Sequence, residues 1–284
     1  MDIILERHPN ITPYTSGLYK SDMSFADMQK LVPYLTEEEK LSPWAKYYGR
    51  PAAELQPHMK EALSKEPLPP SECCMPDEIG KKFLQNDMPD SGYGVLENGA
   101  GYACFVTDYT DITDEMITTY VENFAHDENN RNLFYKIWSP GDHLIHFEDA
   151  IIESWGWGYY LTDMNMPAFS FSKMGISEAE IRSLRPDCFR FLGAGGHTVN
   201  LYCPKERTRA IMIQIQVETE YGSRRYTFYW WGVDFGNENS PFIIDVNADP
   251  DTMAMRMRYM MRHGMQEACN EIELIKEFSK INGK

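Results

Sequence analysis

The sequence has no apolar run approaching the roughly 20 residues that a membrane-spanning helix needs. It also has no Cys-x-x-Cys pair. The six cysteines (Cys73, Cys74, Cys104, Cys188, Cys203 and Cys269) are scattered over 284 residues, which reads as reduced, buried thiols rather than a disulfide framework. Positive charge is scarce, with 27 Lys and Arg against 43 Asp and Glu and a net charge of −16. Phosphate binding needs clustered Lys and Arg, so this balance argues against nucleic acid and equally against anionic membrane surfaces. The acidity reads as solubility. The opening "MDIILERHPN" lacks the basic region and apolar stretch of a signal peptide, and the expectation is a cytoplasmic protein.

What is present divides the chain in two. Residues 1–75 read as a helical N-terminal region and linker. "SDMSFADMQKLVPYL" places Phe25, Met28, Leu31 and Val32 at helical spacing. "TEEEKLSPWAKYYGRPAAELQPHMKEALSKE" is broken by prolines into several short helices, and "EPLPPSECCMPDE" reads as a linker.

Residues 76–284 have a different texture. "GYGVLENGAGYACFVTDYT" is strand, an Asn98-Gly99 turn, then strand, a strong hairpin signal. "DITDEMITTYVENFAHD" predicts a helix capped near Thr113 and ending around Phe124. "FYKIWSPGDHLIHFEDAIIESWGWGYYLTDMNMPAFSF" is aromatic and β-branched with Pro and Gly breaks, and it suggests strands. "CFRFLGAGGHTVNLYC", "TRAIMIQIQVETEY" and "RRYTFYWWGVDF" give three more. Strands joined by short turns cannot be parallel neighbours, so the order points to an α+β arrangement with an antiparallel sheet. "GAGGH" at 193–197 precedes further strand signals and no helix, which makes it a weak nucleotide site.

The last helix is predicted to start at Asn247 or Asp249, carry Pro250 in its first turn and run to about Lys280. On a wheel of about 100° per residue, Met257, Met261, Ala268, Ile272 and Ile275 form an apolar arc. Arg258, Arg262, Glu273 and Lys276 form a wet side. His263 and Glu267 stand four residues apart on the border of the buried arc. That spacing lets both side chains reach one point, as a salt bridge or as two metal ligands.

A metal needs more ligands from facing elements. His126 follows a predicted helix, and Glu153 lies in "AIIESWGWG", too apolar a strand for surface decoration. Two histidines and two carboxylates suit zinc, or manganese or iron, with room for water. His143, which with His146 flanks "LI", is the rival to His126. His8 and His58 read as surface residues. His197 follows the small residues of "GAGGH", either as a loop histidine or where backbone can approach closely.

"HDENNRNLFYKIWSPGDH", then a Glu in an apolar strand, then "RHGMQE" on the last helix, resembles the diacetylphloroglucinol hydrolase and phloretin hydrolase family. The resemblance covers roughly residues 90–280. It implies a helix-grip domain, a curved antiparallel sheet around a long C-terminal helix, behind a small helical N-terminal region. It implies hydrolysis of the carbon–carbon bond between a polyhydroxylated aromatic ring and an acyl group. It also implies a divalent metal, usually Zn2+ with Mn2+ or Fe2+ as alternatives, held by His126, Glu153, His263 and Glu267. Asn129 matches a substrate-contacting asparagine, His197 a catalytic histidine and Tyr120 a tyrosine near the first ligand.

The chemistry follows from the substrate class. An aryl carbanion leaves badly, so the ring carbon must be protonated first, which a phloroglucinol-type ring permits through its keto tautomer. Activated water then attacks the acyl carbonyl. His197 is the expected proton-transfer residue, with Tyr120 and Asn129 on phenolic oxygens. Aromatics of 142–172 and 226–231 are expected to line a flat pocket or to be ordinary core. The expected partner is a small aromatic ketone; a homo-oligomer is left open. Two rivals are a non-catalytic helix-grip carrier of a hydrophobic aromatic molecule and a metal-dependent hydrolase or decarboxylase of another phenolic ketone.

Overall fold

The computed structural model describes residues 35–122, 127–146, 150–155, 158–163, 176–200, 207–232 and 248–281. The helix expected within residues 21–35 lies outside them apart from Leu35. Eight strands among these residues form one antiparallel sheet: β1 (Gly92–Val95), β2 (Gly101–Thr110), β3 (His143–His146), β4 (Ala150–Trp155), β5 (Gly158–Asp163), β6 (Cys188–Asn200), β7 (Arg207–Thr219) and β8 (Gly222–Trp231). Their spatial order is β1-β2-β8-β7-β6-β5-β4-β3. Six helices accompany them: α1 (Pro57–Ser64), α2 (Pro76–Leu84), α3 (Asp114–Tyr120), α4 (Arg131–Trp138), α5 (Glu178–Leu184) and α6 (Pro250–Ile281). The α+β class expected from the sequence is the class observed.

The turns follow local chemistry. Gly99 takes φ 87°, a conformation nearly closed to side-chain-bearing residues, and Asn98 Oδ1 accepts the Ala100 N–H at 3.1 Å. Thr113 caps α3 by accepting the Met116 N–H, as its sequence position predicts. Asp249 does the same for α6, accepting the Thr252 N–H at 2.9 Å.

Period-two alternation sends β2 side chains to two faces. Tyr102 and Cys104 join Ile79, Phe83, Phe228 and Trp230 on the face covered by α2 and α5. Ala103 and Phe105 join Met257, Met261 and Met265 on the face covered by α6. Each fully buried side chain of this kind contributes about 1.5–3 kcal/mol. Methionine's unbranched stem lets it fill the uneven gap between helix and sheet.

Close approach there depends on Gly264. A Cβ at this position would stand 2.8 Å from Tyr229 Oη and 2.9 Å from the Phe105 ring. Gly264→Ala is therefore expected to cost about 1–3 kcal/mol through overpacking, read as a shift in thermal midpoint. An unchanged midpoint would show that the helix has slack here.

The helix is buried beyond its sheet-facing arc. Met59 of α1 is fully buried, and Gln266 Nε2 and Asn270 Oδ1 bond Ala53's carbonyl and N–H at 2.7 and 2.8 Å. At the far end Trp44 and Tyr47 meet Phe278 edge-on. The wheel's apolar arc is confirmed by burial of Met257, Met261, Ala268, Ile272 and Ile275, while Arg258, Arg262 and Glu273 are exposed.

Two readings change. Residues 134–138, taken as strand for their aromatics, belong to α4. Leu133, Phe134 and Ile137 point one way into the core at helical spacing, and this packing overrides β-propensity. The proline-rich stretch is packed: Cys73 and Cys74 are buried, and Trp230 Nε1 donates to the Cys74 carbonyl at 2.8 Å. Helix α5 had no sequence reading, although Ser177 and Glu180 form a reciprocal capping box. The five described cysteines, all but Cys203, are free and buried, and no helix among the described residues is long and apolar enough to cross a membrane.

Candidate metal centre

The closing helix and two neighbouring strands bring four side chains to one point. His143 of β3 and Glu153 of β4 are direct cross-strand partners, so their side chains share a face. His263 and Glu267 come from successive turns of α6, with Nε2 and Oε1 3.1 Å apart. His143 Nε2 lies 2.5 Å from Glu267 Oε1 and 3.6 Å from Glu153 Oε1. One ligand atom from each residue lies within 4.8 Å of all the others, and all four residues are buried.

The histidine tautomers follow from the outer contacts. His143 Nδ1 is 2.9 Å from the Tyr135 carbonyl, which can only accept, so Nδ1 carries the proton. His263 Nδ1 similarly faces Asp142 Oδ2 at 3.0 Å. Both Nε2 atoms are thereby turned inward with lone pairs available. His143 Nε2 is completely buried, and the polar atoms it faces are the carboxylate oxygens of Glu267 and Glu153.

Two inward nitrogens facing two buried carboxylates form an electron-rich knot. Such a set is costly in an apolar interior unless a cation lies at its centre. Nitrogen and oxygen donors in this number fit a divalent ion such as zinc, with outer hydrogen bonds fixing the ligands. In the protein alone, burial opposes a charge on His263, but Glu267 and the bonds to Asp142 and Glu267 hold it well above the usual histidine range. Burial likewise opposes the Glu267 charge, and the flanking His263 and His143 hold its carboxyl well below the usual range.

The other expected site residues fall as follows. His126 lies outside the described residues. The histidine found with Glu153, His263 and Glu267 is its sequence rival, His143. His197 sits on β6 with its backbone opposite Asp163 and Arg209. Asn129 is exposed in the turn before α4, where its N–H bonds Asp127 Oδ1 at 2.9 Å. Tyr120 stacks on Phe278. That is eleven residues beyond Glu267, roughly 16 Å along the helix, and Tyr120 is not brought together with the four.

Tyr229, named at sequence level only within the aromatic stretch 226–231, lies beside the centre. Its hydroxyl approaches Gly264. Burial, then the charges of Glu267 and Glu153, push its phenol well above the ordinary range, so it remains a hydrogen-bond donor. Two open grooves of about 530 and 640 Å3 lie elsewhere, one along Arg50, Gln56 and Lys276, the other along His58, Arg185 and Arg224. Neither includes any of the four residues. Their lining is solvated and mixed in charge, whereas the buried knot has a chemical demand to meet.

Residues 81–155 match the family model described as DAPG hydrolase PhiG domain. That span contains α4, His143 and Glu153. Phloretin hydrolase of Eubacterium ramulus is 31% identical over 134 residues, 46% of this chain and 45% of that protein. The match thus spans under half the length of that curated relative.

Proposed function

Both comparisons support the diacetylphloroglucinol hydrolase and phloretin hydrolase family for this chain, and from that premise we propose that it hydrolyses the carbon–carbon bond between a phloroglucinol-type ring and an acyl group. The observation that carries the reading is the convergence of His143, Glu153, His263 and Glu267. These four would hold a divalent metal, zinc being the first choice. When bound, the ion would bring a water's pKa toward neutrality and stabilise the oxyanion of an attacked ketone.

The chain's own groups supply the rest. The ring carbon takes a proton, water adds its oxygen to the acyl carbon, and the ring leaves as the free arene beside a carboxylic acid. Tyr229, kept protonated beside the centre, is suited to donate a hydrogen bond to a phenolic or acyl oxygen. His197 remains the proposed proton donor to the ring, and Asn129 a proposed contact to a phenolic oxygen. Tyr120, held against Phe278, is left out. The placement of α6 across one face of the sheet supports the helix-grip reading, with 76–284 as the catalytic unit and the N-terminal region as its cover.

The test is incubation of the full chain with phloretin and with diacetylphloroglucinol while acid release is followed. Acid is expected from at least one of them, lost on chelation and restored by zinc, manganese or iron(II). If neither ketone is cleaved by metal-replete protein, the substrate class is wrong. Binding without cleavage by a metal-free wild type would favour the carrier reading.

A further inference from the structure

The stretch Tyr135–His143, "YKIWSPGDH", supplies one member of the four-residue centre, yet it touches all four. Tyr135 Oη donates to Glu153 Oε1 at 2.5 Å, its carbonyl accepts from His143 Nδ1, and its ring stacks on the His143 imidazole at 3.9 Å and 8°. Trp138 Nε1 donates to the Glu267 carbonyl at 3.1 Å, and its ring meets His143 edge-on. Asp142 Oδ2 accepts from His263 Nδ1 at 3.0 Å. The segment is itself fixed. Gly141 takes φ 92°, the N–H groups of Asp142 and His143 both reach the Ser139 carbonyl, and Asn270 Nδ2 donates to the Trp138 carbonyl at 2.9 Å.

We propose that Tyr135 and Asp142 are positioning residues of the metal centre, and that this one turn-and-helix segment sets the geometry of ligands drawn from β3, β4 and α6. The proposal rests on the metal-dependent reading above. Tyr135 fixes two ligands at once: its hydroxyl orients the Glu153 carboxylate, and its carbonyl with its ring fixes tautomer and plane of His143. Asp142 does for His263 what the Tyr135 carbonyl does for His143. The spacing follows from this work. Tyr135 and Trp138 are three residues apart on one helix face, and the Gly141 turn folds Asp142 and His143 back beneath them.

Outer partners of metal ligands typically affect affinity 10–100-fold. Zinc affinity of the purified full chain, measured by chelator competition, is therefore expected to fall about 10–100-fold in Tyr135→Phe and in Asp142→Ala. Tyr109→Phe is the control. It removes a buried phenol that donates at 2.5 Å to Glu271 of the same helix but lies outside the centre, and it should leave zinc affinity within about twofold. A wild type that binds zinc, with both Tyr135→Phe and Asp142→Ala binding as tightly, would overturn the positioning role while sparing the metal reading. A wild type that binds no zinc would overturn both. Should Tyr135→Phe fail to fold, Asp142→Ala, at a partly exposed side chain, decides by the same criterion.

Discussion

His143→Ala is expected to yield a folded chain that holds no stoichiometric divalent metal and has no measurable ketone hydrolysis. The imidazole stands between the two carboxylates: its Nε2 lies 2.5 Å from Glu267 Oε1 and 3.6 Å from Glu153 Oε1. Its removal takes away one nitrogen ligand and the ring that separates two carboxylates. Without it Glu153 and Glu267 face each other across a cavity, and like charges in a buried site disfavour joint ionisation. The loss should exceed the 10–100-fold that outer partners cost. Elemental analysis of purified protein checks this directly. His126→Ala is the matched comparison, and retention of one equivalent there would assign the ligand role to His143 between the two sequence candidates.

Glu271→Ala carries the largest expected effect on stability. One turn beyond Glu267, the Glu271 carboxylate accepts from Arg225 Nη1 at 2.6 Å and from the Tyr109 hydroxyl at 2.5 Å. Arg225 also donates to Gln216, which donates to Ser223, and its guanidinium lies over the Tyr109 ring. Every member of this network is buried. Truncating one partner of a buried pair leaves the other charge uncompensated, at about 3–5 kcal/mol. At roughly 2–4 °C per kcal/mol, the thermal midpoint should fall by at least about 6 °C. Replacing Arg225 and Glu271 together by methionine should recover most of that loss, because no charge is then stranded. A double variant as unstable as the single one would place the cost in packing.

The sequence carried the site better than it carried the fold around it. His263 and Glu267 were legible because four-residue spacing on a long, well-capped helix is a local property. Glu153 was legible because a carboxylate inside an apolar strand demands a partner. The choice between His143 and His126 was not, because it depends on β3 lying beside β4, and pairing register is a long-range fact. The resemblance motif includes the segment that meets all four residues, but its aromatics suggested strand. Only packing of Leu133, Phe134 and Ile137 reveals the helix that lets Tyr135 reach two ligands. Wheel geometry placed His263 and Glu267 on a border. Their burial comes from the segment 138–143, whose Trp138, Asp142 and His143 close against them from a stretch distant in sequence. The Arg225–Glu271 pair left no mark, since one of the two Args in "RRYTFYWW" and one of the Glus in α6 look like surface charges until β8 is set against that helix.

The measurement closest to the central claim is the metal content of the full-length chain by elemental analysis, set beside that of His143→Ala and Glu267→Ala. The expected result is about one divalent ion per wild-type chain and none in either variant, with acyl-phloroglucinol hydrolysis following the ion. A wild type that stays metal-free after incubation with zinc, or a His143→Ala chain with its full equivalent, would contradict it.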